Sequence, residues 1–120
     1  LDDYTEIQKG YKALTTTDTF EQYQKTSMSI DWSSDVIISH HSPIYIKHRK
    51  FDYSATAHGF YCFDRTLENK IVESSVKYWL FAHTHDNVRV DLNGTTVISN
   101  CFGYKNEKGV IFDPHLILEL

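Results

Sequence analysis

Four of the chain's seven histidines stand in two groups, His40-His41 and His83-Thr84-His85. Each group follows a short apolar run: Val36-Ile37-Ile38-Ser39 leads into the first, and Tyr78-Trp79-Leu80-Phe81-Ala82 into the second. Short runs rich in β-branched or aromatic residues read as strands buried inside a sheet. Both groups therefore fall at carboxyl ends of strands, where open α/β sheets gather ligands and residues distant in sequence converge. Neutral imidazole is the commonest side-chain metal ligand, and three of them suit Zn, Fe, Mn or Co. A lone histidine is more simply a capping or core residue bonded to backbone. Two groups at two strand ends, one of them His-x-His, favour metal binding instead.

The elements that must position these groups are legible from periodicity. Asp18 can accept orphan N–H groups at a helix start, and Phe20, Tyr23, Ser27 and Ile30 then share one face, which predicts a helix over 18–32. The strand at Val36-Ile37-Ile38 follows. Residues 42–59 show no period and form a long loop, and Asp64 caps a second helix whose Leu67, Ile71, Val72 and Val76 face one side. After the strand at Tyr78-Trp79-Leu80-Phe81, Asn93-Gly94 between two alternating runs predicts a hairpin. Residues 116–120 read as a last strand. The expected order is α-β-loop-α-β-β-β-β, a mixed α/β arrangement with helices flanking a mixed sheet.

At 41% hydrophobic and 23% charged, the 120 residues have the composition of one globular domain spanning 1–120. The formal net charge of −4 argues against strong nucleic-acid binding. No apolar run approaches the length of a membrane span, so no membrane partner is expected. Cys62 and Cys101 lack CxxC spacing and read as reduced thiols, which fits a cytoplasmic location. The chain opens on Leu1, and the expectation is that it begins inside a longer protein. Lys47-His48-Arg49-Lys50, in the loop leaving the first histidine group, can steer or clamp a phosphate-bearing substrate. A plain solvated loop weighs equally.

Val36-Ile37-Ile38-Ser39-His40-His41-Ser42-Pro43 resembles the strand-then-(Thr/Ser)-His-His-x-Pro motif of the calcineurin-like metallophosphoesterases. Trp79-Leu80-Phe81-Ala82-His83-Thr84-His85 resembles their apolar strand followed by Gly-His-x-His, with Ala82 in the place of Gly. The stretch from Asn93-Gly94-Thr95 through Asn100-Cys101-Phe102-Gly103-Tyr104 to Phe112-Asp113-Pro114-His115-Leu116 is similar to the ending of a bacterial-type branch, with Cys101 in the place of Pro. The resemblance implies the C-terminal half of a metallophosphoesterase-type α/β sandwich. It also implies a hydrolase that cleaves phosphate ester bonds with a metal-activated hydroxide and, when complete, holds two divalent ions (Mn, Fe or Zn).

By that resemblance the catalytic and metal-ligating residues are His40 and His83 on one ion and His85 on the other. His41 is the alternative to His40 as ligand, and His41, Lys47, Arg49 and Asn100 are the substrate-binding candidates. The family's Asp-x-His, Gly-Asp-x-x-Asp and Gly-Asn-His-Asp/Glu motifs have no counterpart ahead of His40. The implied partners are thus a phosphate-ester substrate and an N-terminal half of the same domain, from the same parent chain or a separate polypeptide. Without carboxylates a tight metal pair is disfavoured, because neutral imidazoles offset no charge. That leaves two alternatives: a non-catalytic remnant or binding module with a weak His-only metal site, and a mononuclear zinc hydrolase on His40, His83 and His85. An apolar sheet edge or face left uncovered should make the chain self-associate.

Overall fold

Thr15 and Asp18 lock each other at the head of the first helix. In a computed structural model of the chain, which describes residues 8–9, 12–46 and 65–120, helix α1 runs Thr16–Met28. The Thr15 hydroxyl accepts the Asp18 N–H (3.2 Å) and the Asp18 carboxylate accepts the Thr15 N–H (3.0 Å), a reciprocal capping box. Asp18 is thus the third helical residue rather than the cap, and the helix starts ahead of its predicted position. It also stops short of Trp32. The hydroxyls of Ser27 and Ser29 bond back to the carbonyls of Gln24 and Thr26, and the Ser29 N–H closes on Thr26. Strands β1 (Gln8–Lys9) and β2 (Lys12–Ala13) pair antiparallel before it. The chain divides into two compact units, the second beginning at Trp32.

In that second unit, β3 (Val36–Ile38) and β4 (Tyr78–Phe81) pair in parallel, Ile37 opposite Trp79 and Ile38 opposite Leu80. Helix α2 (Arg65–Glu73) lies between them in sequence. β5 (Arg89–Leu92) turns back at Asn93-Gly94 into β6 (Thr95–Ser99), which pairs in parallel with β4 on its other side. The sheet order is β3-β4-β6-β5, and the architecture is mixed α/β. Both turn residues have positive φ (+51° and +97°), the geometry that makes Asn-Gly a hairpin signal. The Asn93 side chain donates to the Val72 carbonyl, tying the hairpin to α2.

Trp79, Phe81, Val97 and Ile98 of the two inner strands are buried with Leu67, Ile71 and Val76 from the α2 side. Ile44 and Ile46, in the expected loop, are buried too. Val72, expected on the same face as Leu67 and Ile71, is 37% exposed, and Val76 lies beyond the helix end; two strand expectations fail as well. β3 is an edge strand among the described residues, and its Ile38 is 76% exposed, so it is not enclosed in the sheet. Residues 116–120 form no strand: they are apolar apart from Glu119 but join no ladder, and the Tyr78 hydroxyl donates to the Glu119 carbonyl. An apolar run is compatible with a strand, but a strand also needs an edge to pair with. Among the described residues, no helix is long and apolar enough to cross a membrane.

Candidate functional site

The ladder between β3 and β4 continues past both strands. Ser39 N–H donates to the Leu80 carbonyl (2.9 Å) and Ala82 N–H to the His40 carbonyl (3.0 Å), which holds the two histidine groups abreast. The Ser39 hydroxyl adds a cross-brace, accepting from the Trp79 indole N–H and donating to the His41 carbonyl. As a result His40, His41 and His83 pack ring against ring, with centroids 4.6–4.9 Å apart. One ring nitrogen from each lies within 4.8 Å of the others, and His40 Nε2 is 3.1 Å from His83 Nδ1. His40 is exposed, while His41 and His83 are half-buried.

The backbone pays for this placement in strain. His83 has φ +67° and is spanned by a Thr84 N–H to Ala82 carbonyl bond of 2.8 Å, a γ-turn of the rare positive-φ kind. His85 is also left-handed, at φ +55°. Non-glycine residues in such regions cost of order 1–3 kcal/mol and persist where the surroundings over-determine them. Ala82 has no positive φ, so alanine fits there without strain. The turn also separates the two imidazoles: His83 joins His40 and His41, and His85 meets other partners.

Those partners come from the segment after β6. The His85 Nδ1 is 2.7 Å from Glu107 Oε2, with side chains 21% and 12% exposed, and the Tyr104 ring meets the His85 ring edge-on at 4.7 Å. Glu107 Oε2 also accepts the Tyr104 N–H (2.9 Å). His40, His83, His85, Asn100, Cys101 and Tyr104 are among the residues lining one cleft of about 390 Å³. Burial pushes the Cys101 thiol up from its ordinary value; a contact with the His85 backbone opposes this and the Glu107 charge adds to it. That shift favours the neutral thiol and disfavours the thiolate a nucleophile needs.

The chain is 26% identical over 93 residues to uncharacterized protein L509 of Acanthamoeba polyphaga mimivirus. The match covers 71% of this chain and 31% of that protein, so the chain spans about a third of its relative's length. No protein-family model and no solved structure matches the chain.

Of the residues singled out in the sequence, His40 and His83 come together, and His41 joins them instead of replacing His40. His85 lines the same cleft outside that cluster. Asn100 lines the cleft as well, but its amide is engaged in a clasp: Nδ2 donates to the Asp113 carbonyl and Oδ1 accepts the Asp113 N–H. Lys47, Arg49 and Asp64 lie outside the described residues. Glu107 escaped the sequence reading, although Gly103 and Asn106, both of positive φ, mark a turn that brings the acid back. Asn87 was missed too, and its side chain holds Cys101 and the Ile111 carbonyl.

The donor set fits one cation. Two donors about 2.0–2.1 Å from one zinc at a tetrahedral angle sit about 3.3 Å apart. The 3.1 Å between His40 Nε2 and His83 Nδ1 is close to that edge. Among the described residues, no carboxylate belongs to the three-imidazole group, so these residues do not fit a second ion beside the first.

Proposed function

We propose that the chain is the C-terminal, histidine-bearing part of a metal-dependent phosphoesterase of the calcineurin-like type. The observation that carries this reading is the meeting of His40, His41 and His83 from two parallel strand ends. A divalent cation, when bound, supplies a Lewis acid for the phosphoryl oxygens and a hydroxide at neutral pH. His40, His41 and His83 would hold it, and the exposed edge of His40 leaves the cluster open to a phosphate ester. His85, braced by Glu107, faces the same cleft from the other side of the γ-turn. On this reading the α/β unit is one half of a sandwich, the carboxylate ligands of a second ion come from an N-terminal half, and the protein works in the cytoplasm.

A second reading, a non-catalytic module with a single weak His-only site, is favoured by one observation: the three-imidazole group contains no acidic ligand. Zinc and manganese titrations of the chain, followed by hydrolysis assays on aryl phosphate mono- and diesters, separate the two. The phosphoesterase reading expects turnover above buffer that disappears in His83→Ala. Metal retention without turnover by the chain, alone or with an added N-terminal half, supports the module. Loss of neither metal nor turnover in His83→Ala defeats both.

A further inference from the structure

The half-buried acid Glu107 takes no part in the three-imidazole group, yet the segment around it is built to hold it against one histidine. Its Oε2 accepts from His85 Nδ1 and from the Tyr104 N–H at once. Its own N–H closes a turn onto the Tyr104 carbonyl (3.0 Å), with Asn106 left-handed at φ +65° inside the turn. Gly103 must be glycine for two reasons. Its φ is +80°, and a Cβ there would lie 2.8 Å from Glu107 Oε2 and 2.9 Å from Val110 Cγ2. The Asn87 and Asn100 clasps fasten the same segment on either side. This is far more bracing than a surface histidine needs.

We infer that Glu107 is a positioning residue for His85. By accepting the Nδ1 proton it holds the imidazole in the tautomer whose lone pair is on Nε2, so that His85 offers the cleft an acceptor. Neutral imidazole left to water prefers the opposite tautomer, with the proton on Nε2, which would offer a donor instead. A carboxylate behind a histidine also raises the basicity of the other nitrogen, which is how ligating histidines are commonly tuned. Glu107 thereby brings negative charge to the cleft one imidazole removed from any cation. The tautomer stands on the geometry alone, and its use toward a cation rests on the phosphoesterase reading.

Long-range ¹H–¹⁵N spectra of the metal-free chain at mildly alkaline pH test the tautomer directly. The expected result is a protonated Nδ1 and an unprotonated Nε2 at His85. Glu107→Gln, whose amide oxygen can still accept, should keep that pattern, and Glu107→Ala should revert to protonated Nε2. A wild-type His85 protonated on Nε2, or a Glu107→Ala chain that still protonates Nδ1, overturns the inference. Folding of each variant is checked by the unchanged Val97 and Ile98 amide shifts of the sheet. Zinc titration of the chain supplied with an N-terminal half that brings carboxylate ligands then reads the role: Glu107→Ala should weaken the zinc-induced shift of His85 Nε2 by about 10- to 100-fold in zinc concentration. A wild-type His85 that zinc leaves unmoved overturns the role toward a cation while the tautomer result stands, and neither readout depends on hydrolysis.

Discussion

Replacing His83 by glycine should give a more stable protein than replacing it by alanine, the reverse of the usual ranking. Both variants lose the imidazole, its ring contacts with His40 and His41, and the 3.1 Å approach to His40, so those losses cancel in the comparison. What remains is the backbone. At φ +67° in a γ-turn, alanine suffers the left-handed penalty of about 1–2 kcal/mol. Glycine avoids it but loses about 0.5–1 kcal/mol more chain entropy on folding. The balance favours glycine by roughly 0.5–1 kcal/mol, or about 2–8 °C in melting temperature for a domain of this size. Thermal melts of the two variants without metal read this difference. The wild type at 100-fold excess of zinc over its Kd should gain about 2.7 kcal/mol, and both variants should gain far less. If alanine equals or exceeds glycine, the strained turn is not a feature of the folded chain. If zinc stabilises both variants as it does the wild type, His83 is no ligand.

Three further outcomes are expected. His40→Ala and His41→Ala should each weaken zinc binding measured by calorimetry, because both rings join the cluster; an unchanged affinity in either removes that ring from the ligand set. The Cys101 thiol is raised in the fold, so its contribution to stability is full below the unfolded value of 9.0 and is lost as pH rises through the folded one. Denaturant midpoints measured from neutral to alkaline pH should fall more steeply above that value in wild type than in Cys101→Ser, and identical slopes refute this. Ile38→Lys should reduce self-association in light scattering, since it places a charge on the exposed edge strand β3; undiminished association would locate the sticky surface elsewhere.

The elements that carry the histidines were legible because their signals are local. Tyr78-Trp79-Leu80-Phe81 is a short apolar run and became β4, and Asn93-Gly94 has the two residues a tight hairpin requires and became the turn between β5 and β6. The convergence of His40 with His83 followed from placing both at strand ends. What escaped depends on partners distant in sequence. Glu107 reaches His85 across 22 residues, and no period announces it. The γ-turn at His83 follows directly on the cross-strand bond from Ala82 to His40, and nothing in His-Thr-His tells that the two rings diverge. Residues 116–120 show the converse error, an apolar run without an edge to join.

Charge decides how far the described residues can go as a metal site. Two divalent ions about 3.5–4 Å apart repel by roughly 18 kcal/mol at an effective dielectric of about 20. A single carboxylate about 2.1 Å from both would attract them by roughly 30 kcal/mol on the same scale, whereas three neutral imidazoles contribute dipoles alone. His40, His41 and His83 can therefore hold one cation, and His85 cannot hold a second beside it unaided. Glu107 helps only indirectly, since its oxygen is spent on His85 Nδ1 and the Tyr104 N–H and lies behind the imidazole, away from any shared position between ions. On the phosphoesterase reading, supplying an N-terminal half with carboxylate ligands should accordingly raise metal stoichiometry from one to two. If the chain alone already binds two ions tightly, bridging acid must come from its own residues, and the division of ligands between two halves is wrong.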